Sequence, residues 1–309
     1  IKTTLQFGKL TVTGLVSQQN SESKSISTRG GQQMTDFKVR ADEYDQNRHF
    51  FLAQYFYDHY DEFASKLPYV SSGIQITRAE VWITNKQSNF NQSRNLVAFA
   101  DLGENSTLTN DTWDPQPGGE LPSNNSNDLM SVIKNEYPGA RNINTVTQAL
   151  EPLAAYGVTG GRDYEKVESA RLLSSSEYTL NPTLGYISLK SQVNNDDVLA
   201  VAFEYTCTGQ VYKVGQFSAD ITSSDQSLYV KMLKATTVDP KMPAWKLMMK
   251  NVYSLGAYQV QKSNFRLNIK YLSDTTGTEI NYLPVPGISD KPLLQVMNLD
   301  RLDSNEQSN

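Results

Sequence analysis

The segment that decides the fold, Arg162–Phe217, reads RDYEKVESARLLSSSEYTLNPTLGYISLKSQVNNDDVLAVAFEYTCTGQVYKVGQF. Short apolar runs alternate with turn-forming residues, a pattern typical of antiparallel hairpins. Asn181-Pro182 and the polar group Asn194–Asp197 interrupt the runs, and Thr208-Gly209 closes the last hairpin. The apolar run Val198–Phe203 predicts a buried strand. We therefore expect a compact, sandwich-like antiparallel β module in this segment, inserted into a larger α+β domain with a mixed sheet and flanking helices.

Composition narrows the class of protein. The chain has 309 residues, of which 38% are hydrophobic, with 17 Tyr and 11 Phe, so it is long enough for roughly two folded domains. The net charge is −5 and no cluster of Lys and Arg occurs, which disfavours nucleic-acid binding and docking to an anionic membrane surface. No apolar run reaches the ~20 residues of a membrane-spanning helix, although a transmembrane β-strand would escape that test.

The first part of the chain predicts a strand and a helix in sequence. Alternation over Ile1–Gln19 indicates a half-exposed strand whose neighbour lies outside this chain, and the polar stretch Asn20–Gln33 indicates a connection. Because the chain starts at Ile1 without Met or a signal peptide, we expect it to be a processed product or part of a longer polypeptide. The segment Gln46–Leu67 predicts a helix with one apolar stripe. The stripe consists of Leu52, Phe56, Tyr60, Phe63 and Leu67.

The remaining elements complete the predicted α+β domain. They are strands at Ile74–Thr84 and Leu96–Leu102, a loop at Glu104–Asn127, helices near Asp128–Glu136 and Thr145–Glu151, a strand at Leu228–Lys234, a helix from Pro243 to Gly256, and a strand at Phe265–Tyr271. The expected ranges are 1–35 for the first strand and its linker, 36–161 and 221–285 for the α+β domain, 162–220 for the β module, and 286–309 for an acidic tail.

Residues that could carry chemistry are few. His49 and His59 lie ten positions apart on the predicted helix, too far apart to bind one metal from adjacent turns. Cys207 is the sole cysteine and is expected to be a small buried apolar residue. The pairs Gly30-Gly31 and Gly160-Gly161 are expected to form turns, since no phosphate-binding glycine motif surrounds them.

Carboxylates are the remaining candidates. We expect Asp196-Asp197, the group Asp42, Glu43 and Asp45, and the pair Asp61-Glu62 to serve as caps, turns or a solvated face, although only geometry can exclude paired hydrolase carboxylates. The tail oxygens of Asp300, Asp303, Asn305 and Glu306 lack the spacing and the glycine of a calcium loop. Four Asn residues begin glycosylation triplets, at Asn91, Asn105, Asn110 and Asn124. The sequence thus predicts no catalytic, cofactor-binding or metal-binding residue and no enzyme activity.

Several phrases in the chain resemble one protein family. They are RHFFLAQYF at Arg48–Phe56, SSGIQITRAEVWITNK at Ser71–Lys86, RNLVAFADLGE at Arg94–Glu104, SEYTLNPTLGYISL at Ser176–Leu189, FEYTCTGQVYKVGQFS at Phe203–Ser218, and PLLQVMNLDRLDSNEQ at Pro292–Gln307. Together they resemble the SprA/Sov family, the large outer-membrane translocon of the Bacteroidetes type IX secretion and gliding-motility system.

The resemblance implies a role without chemistry. Family members are very large single-chain barrels with soluble segments inserted between barrel strands, so this chain would be one such segment and Ile1–Gln19 a barrel-strand remnant. The implied partners are other parts of the same barrel, secretion accessory proteins and secreted cargo. Because such barrels keep their periplasmic turns short, we expect the segment at the outer membrane on the cell-surface side.

Two other classes of function stay open from the residues alone. A cell-surface module that binds glycans or proteins would expose a row of aromatic side chains, and Trp113 is the sole tryptophan outside a predicted helix or strand. A hydrolase would place two facing carboxylates in a pocket.

Overall fold

The computed structural model describes residues 2–7, 10–15, 37–65, 69–86, 92–105, 108, 111–256, 260, 265–297 and 299. They fall into two compact units, 1–38 and 39–309. The first unit contains β1 (Lys2–Phe7) and β2 (Leu10–Leu15), which pair antiparallel from Lys2–Leu15 to Phe7–Leu10. The expectation of one strand with its neighbour outside the chain was therefore wrong, because the two halves of this segment pair with each other. Residues 20–33 lie outside the described part.

The second unit mixes strands with short helices. Its strands are β3 (His49–Phe51), β4 (Ile74–Ile83), β5 (Ser93–Phe99), β6 (Tyr164–Leu172), β7 (Tyr178–Asn181), β8 (Tyr186–Leu189), β9 (Leu199–Cys207), β10 (Gln210–Val214), β11 (Leu228–Lys234), β12 (Tyr271–Leu272) and β13 (Glu279–Ile280). Its α-helices are α1 (Gln54–Asp58), α2 (Tyr60–Phe63), α3 (Leu129–Glu136), α4 (Val146–Leu150) and α5 (Leu293–Val296), and 3₁₀ helices cover Pro138–Arg141, Glu151–Tyr156 and Pro243–Leu247.

Five strands of the second unit form a closed sheet. β9 pairs antiparallel with β4 over its full length, β11 lies beside β9, and β5 pairs parallel with β11. β6 pairs antiparallel with β5, and two residue pairs between β4 and β6, Trp82–Leu172 and Ile83–Arg171, close the ring. We call this contact the closing seam. β10 adds a sixth strand beside the second half of β9. The combination of this mixed sheet with separate helices confirms the α+β prediction.

The inside of the closed sheet is filled by small and medium side chains around two large aromatic side chains, Trp82 and Phe217. The inner cluster draws alternate residues from all five strands and from adjoining loops: Trp82, Leu96, Ala98, Ala100, Val167, Ala170, Val198, Ala200, Ala202, Phe217, Leu228, Val230, Met232 and Ala235. Alternation puts the other residues of the same strands outside, where several of them, such as Val81, Val97 and Phe99, are also buried. This is why Ile74–Ile83 and Ser93–Phe99 carry apolar residues on both faces.

Two outer layers cover the closed sheet. On one side, the three-stranded sheet β3-β8-β7 and α1 pack over Val81, Val201 and Phe203. On the other side, α3, α4 and the 3₁₀ helices Pro138–Arg141 and Glu151–Tyr156 pack over Phe99 and Tyr229.

The segment Arg162–Phe217 forms antiparallel strands as predicted. Val198 directly precedes the buried strand β9, and Leu199–Phe203 form the first part of that strand. The segment is not a self-contained insertion, however. β6 and β9 complete the closed sheet with β4, β5 and β11, and the β7–β8 hairpin pairs with β3. The predicted ranges 36–161, 162–220 and 221–285 therefore contribute strands to the same sheets.

The long helix predicted over Gln46–Leu67 is absent from the described residues of that range. Phe50 and Phe51 instead pair with β8, and helical turns begin at Gln54 after an extended Ala53 with φ −152°. Two short helices, α1 and α2, then carry part of the stripe. Three stripe residues, Leu52, Phe56 and Phe63, are buried, and Tyr60 is half-buried. Leu67 lies outside the described residues.

Two predictions in the last third of the chain were also wrong. The helix expected from Pro243 to Gly256 is a 3₁₀ turn that ends at Leu247, after which Met248 forms a β-bridge with Phe50. Side chains in the range Phe265–Tyr271, where a strand was expected, are exposed or half-buried, but the described strand pairing is limited to Tyr271 and Leu272 with β13. The tail residues Asp300, Asp303, Asn305 and Glu306 lie outside the described residues.

Candidate functional site

The two histidines have structural partners and lie in different environments. His49 Nδ1 is 2.8 Å from Ser188 Oγ, and His49 Nε2 is 3.3 Å from Asp45 Oδ2. His59 is stacked on Tyr55 with the ring centroids 4.2 Å apart, and its Nδ1 lies 2.9 Å from the Tyr55 carbonyl. In the part of the chain that the structure describes, no group of three or more His, Cys, Asp or Glu side chains could hold a metal ion. Cys207 is half-buried at the end of β9.

The other residues singled out from sequence are mostly turns and surface groups. Asp42 pairs with Arg40, Asp45 pairs with Arg48, and Asp61 and Glu62 lie exposed in the first turn of α2. Glu43 accepts a bond from the backbone of Arg40.

The glycine and asparagine candidates have similarly local roles. Gly161 has φ +84° in a turn, as predicted for the pair Gly160-Gly161. The Asn124 side chain bonds both the N–H and the carbonyl of Gly215, so its amide already has partners; Asn105 is exposed, and Asn91 and Asn110 lie outside the described residues.

The loop Glu104–Asn127, predicted from its polar composition, is fastened to the closed sheet where it is described. Trp113 is 3% exposed, inside the cluster beneath α3 and α4, so it cannot offer its ring to a sugar. Asn127 Nδ2 donates to the carbonyls of Asp101 and Glu104, each at 2.8 Å. Tyr205 donates from its hydroxyl to the Pro122 carbonyl at 2.8 Å.

A buried ion pair joins this loop to β11. Lys231 Nζ lies 2.6 Å from Glu104 Oε1, and both side chains are almost fully buried. The same ammonium donates to the carbonyl of Ala100, and Glu104 Oε1 accepts from the backbone N–H of Gln54 at 3.0 Å. The pair thus connects β11, the loop and the start of α1. Lys231 would not be recognised from sequence, since it looks like an ordinary polar interruption of an apolar strand.

A second ionic group holds the turn Asn194–Asp197. Lys86 Nζ lies 2.7 Å from Asp196 Oδ1 and 2.8 Å from Asp197 Oδ1. Lys234 Nζ donates to the carbonyls of Asn195, Asp197 and Ala235. Burial lowers the pKa of Lys234, and the nearby Asp197 and Asp196 partly offset that effect.

The candidate site is an open pocket beside the closing seam, with a volume of about 310 Å³. We call it the seam pocket. Its wall is built from four segments that the sheet brings together: Ile83–Lys86, Arg171–Glu177, Leu189–Val193, and the turn that holds Asn194 and Asp197. The pocket cannot be recognised from sequence, because these segments are far apart in the chain and meet through the pairing of β4 with β6 and of β8 with β3.

Two carboxylates line the seam pocket, and each is already paired. Arg171 Nη1 lies 2.8 Å and 2.9 Å from the two oxygens of Glu177, and Lys86 holds Asp197. Burial raises the pKa of the Glu177 carboxyl, but bonds from the Ser174 backbone and from Arg171 outweigh it, so its pKa lies below the usual value. A general acid for glycoside hydrolysis needs a raised pKa, so this pair is poorly suited to that chemistry.

Every helix among the described residues is too short or too polar to cross a lipid bilayer. Exposed apolar side chains gather in the last described part of the chain: Val260, Phe265, Leu272, Tyr282, Val285, Val296, Met297 and Leu299.

A protein-family comparison matches the first part of the chain. Residues 1–149 match the family SprA_N, described as motility related/secretion protein. The matched range includes β1 to β5 and α1 to α3 and contains three of the phrases that resemble SprA/Sov sequences. No curated protein matches the chain. Residues 1–149 therefore belong to the SprA_N family of motility-related and secretion proteins, which supports the resemblance of the chain to the SprA/Sov family.

Proposed function

We propose that this chain is a non-enzymatic, water-soluble segment of an outer-membrane translocon that serves type IX secretion and gliding motility. The match of residues 1–149 to a motility and secretion family carries the proposal. The partners we propose are other parts of the same parent chain, secretion accessory proteins and cargo in transit.

The internal construction of the segment supports a scaffolding role. Its closed sheet, its packed loop and the buried pair Lys231–Glu104 hold distant parts of the chain in one arrangement. The carboxylates of the seam pocket, Glu177 and Asp197, are paired with cations, which favours binding over acid catalysis there.

Unfolding this segment within the parent protein tests the role. Lys231→Met leaves Glu104 buried without its cation, so the segment should become sensitive to protease. We expect cells with this variant to export less cargo and to glide less, while parent protein is still found in the outer membrane by immunoblotting. Lys166→Met is the matched control, because Lys166 pairs with Glu168 on the surface. Normal export and gliding with a protease-sensitive segment would contradict the proposal.

We further propose that the segment lies on the cell-surface side of the outer membrane. A long insertion fits the outer loops of such barrels better than their short periplasmic turns. Cysteine labelling tests this in a Cys207→Ser background. Asn125 is exposed, whereas its neighbour Ser126 is 0% exposed.

A membrane-impermeant maleimide should therefore label Asn125→Cys on intact cells and should leave Ser126→Cys unlabelled. Labelling of Asn125→Cys that requires permeabilised outer membranes would place the segment in the periplasm instead.

A cell-surface protein-binding module is the second candidate. The exposed apolar side chains between Val260 and Leu299 favour it, because such groups are available for contact with a partner protein. A glycan-binding version is less favoured because Trp113 is buried.

A further inference from the structure

The seam pocket combines an apolar floor with a polar rim. Leu173, Leu189 and Val193 form the floor and are 7%, 4% and 3% exposed, and Ile83 borders them. These side chains belong to or pack against the cluster between the closed sheet and the sheet β3-β8-β7. A volume of about 310 Å³ lies at the small end of ligand pockets. The floor therefore suits one or two aliphatic groups.

One cation of the pocket lacks a carboxylate partner. Lys86, Arg171 and Lys190 line the pocket together with Glu177 and Asp197. Arg171 is paired with Glu177, and Lys86 is paired with both Asp197 and Asp196, which lies outside the lining. Throughout the described ranges, no carboxylate lies within ion-pair distance of the Lys190 ammonium, although the chain as a whole carries −5. The pocket thus has one positive charge that a ligand could match.

Hydrogen-bond donors lie next to that charge. Residues 190–192 leave β8 and are exposed at the rim. The neighbouring N–H groups of Leu189, Lys190 and Val193 donate to the carbonyls of Arg48, Glu177 and Asn47. By contrast, the N–H groups of Ser191 and Gln192 make no hydrogen bond to another described residue. Backbone N–H groups without a partner, beside an ammonium, are donors that a carboxylate can use in charge-assisted hydrogen bonds.

We propose that the seam pocket binds the C-terminal carboxylate of a peptide whose last residue is aliphatic. The carboxylate lies against Lys190 and the N–H groups of Ser191 and Gln192, and the aliphatic side chain lies on Leu173, Leu189 and Val193. The Gln192 side-chain amide is placed at the rim to bond the last peptide group. Because this concerns a site within the segment itself, it holds whether or not the parent protein conducts cargo.

Binding of a short labelled peptide tests the proposal. A fluorescein-labelled Gly-Gly-Ser-Leu with a free carboxylate is titrated with the 309-residue chain and followed by fluorescence anisotropy. The same peptide with a C-terminal amide should bind roughly tenfold more weakly, because it lacks the charge-assisted hydrogen bonds. A peptide that ends in Asp instead of Leu should also bind more weakly, since the floor is apolar.

Matched variants locate the binding. Lys190→Gln should weaken the acid peptide roughly tenfold and leave the amide peptide nearly unchanged. Lys241→Gln, at an exposed lysine outside the pocket, should change neither, and thermal melts should show all three proteins equally folded.

Three results would overturn the proposal. The first is equal affinity for the acid and amide peptides, and the second is no change with Lys190→Gln. The third is absence of saturable binding at millimolar protein. Isovalerate serves as a competitor, and competition as strong as that of the unlabelled peptide would assign the pocket to free aliphatic acids instead of peptides.

Discussion

Lys231 shows how one buried cation organises three parts of the molecule. Its ammonium contacts Glu104 and the Ala100 carbonyl, and Glu104 in turn accepts the backbone N–H of Gln54. Burial of two charges is costly unless each finds partners, and here both have them. Removal of one member leaves the other charged and desolvated, which is the more damaging change.

We predict that Lys231→Met lowers the free energy of unfolding by about 3–5 kcal/mol. Urea denaturation followed by circular dichroism measures the change. The exposed pair Lys166–Glu168 provides the comparison, because Lys166→Met should cost only about 0–1 kcal/mol. Equal costs for the two variants would show that the buried pair adds little to stability.

At the scale of elements, the contact between α1 and the β7–β8 hairpin depends on one close approach. Phe56 on α1 is 0% exposed, with its ring centroid 6.1 Å from that of Phe203. Gly185 in the hairpin has φ +67°, and a Cβ there would lie 2.1 Å from Phe56 Cδ1. Glycine at 185 is thus required both by the backbone conformation and by the ring that it contacts.

Phe56→Ala should therefore destabilise the protein by about 3–5 kcal/mol, as expected for a buried phenylalanine. Thermal and urea unfolding measure it. Tyr69→Ala is the control, because Tyr69 is 80% exposed and its loss should change stability by about 0.5 kcal/mol or less. A melting temperature unchanged by Phe56→Ala would mean that the ring faces solvent.

These elements also show what local pattern can and cannot predict. The strands β4, β9 and β11 were predictable because apolar runs bounded by turns specify buried strands. The stripe over Gln46–Leu67 predicted burial correctly and helix incorrectly, since Phe50 and Phe51 pair with Ile187 and Tyr186, far along the chain. Tertiary pairing outweighed the local period there.

The seam pocket could not be predicted from the sequence for a related reason. Its ionic pairs join residues such as Lys86 and Asp197 that have no regular spacing in the sequence. The absence of metal-ligand spacing between His49 and His59 was a local property and could be judged from the sequence. By contrast, a pocket that forms where a sheet closes depends on the order of the strands in the sheet, which local spacing does not reveal.

At the scale of the whole second unit, strand order predicts cooperative unfolding. The closed sheet interleaves β4 and β5 with β6, β9 and β11, so no continuous stretch of chain contains a complete core. We expect residues 39 onward to unfold in a single transition. Near-ultraviolet and far-ultraviolet circular dichroism should give coincident urea curves. Two separate transitions would indicate that the segment Arg162–Phe217 folds independently after all.

The pairings of β4 and β5 also constrain the order in which the chain can fold as it is made. β4 finds its full-length neighbour in β9, and β5 finds its parallel neighbour in β11, both beyond the family-matched residues 1–149. The chain is synthesised from its N-terminus. One edge of each strand therefore stays unpaired until more than a hundred further residues have been made. Non-local and parallel strand pairing forms slowly, and unpaired strand edges promote aggregation in the meantime. We therefore expect folding of this chain to benefit from a chaperone that covers these edges, and the end of family similarity at residue 149 does not mark a place where the polypeptide can stop and fold.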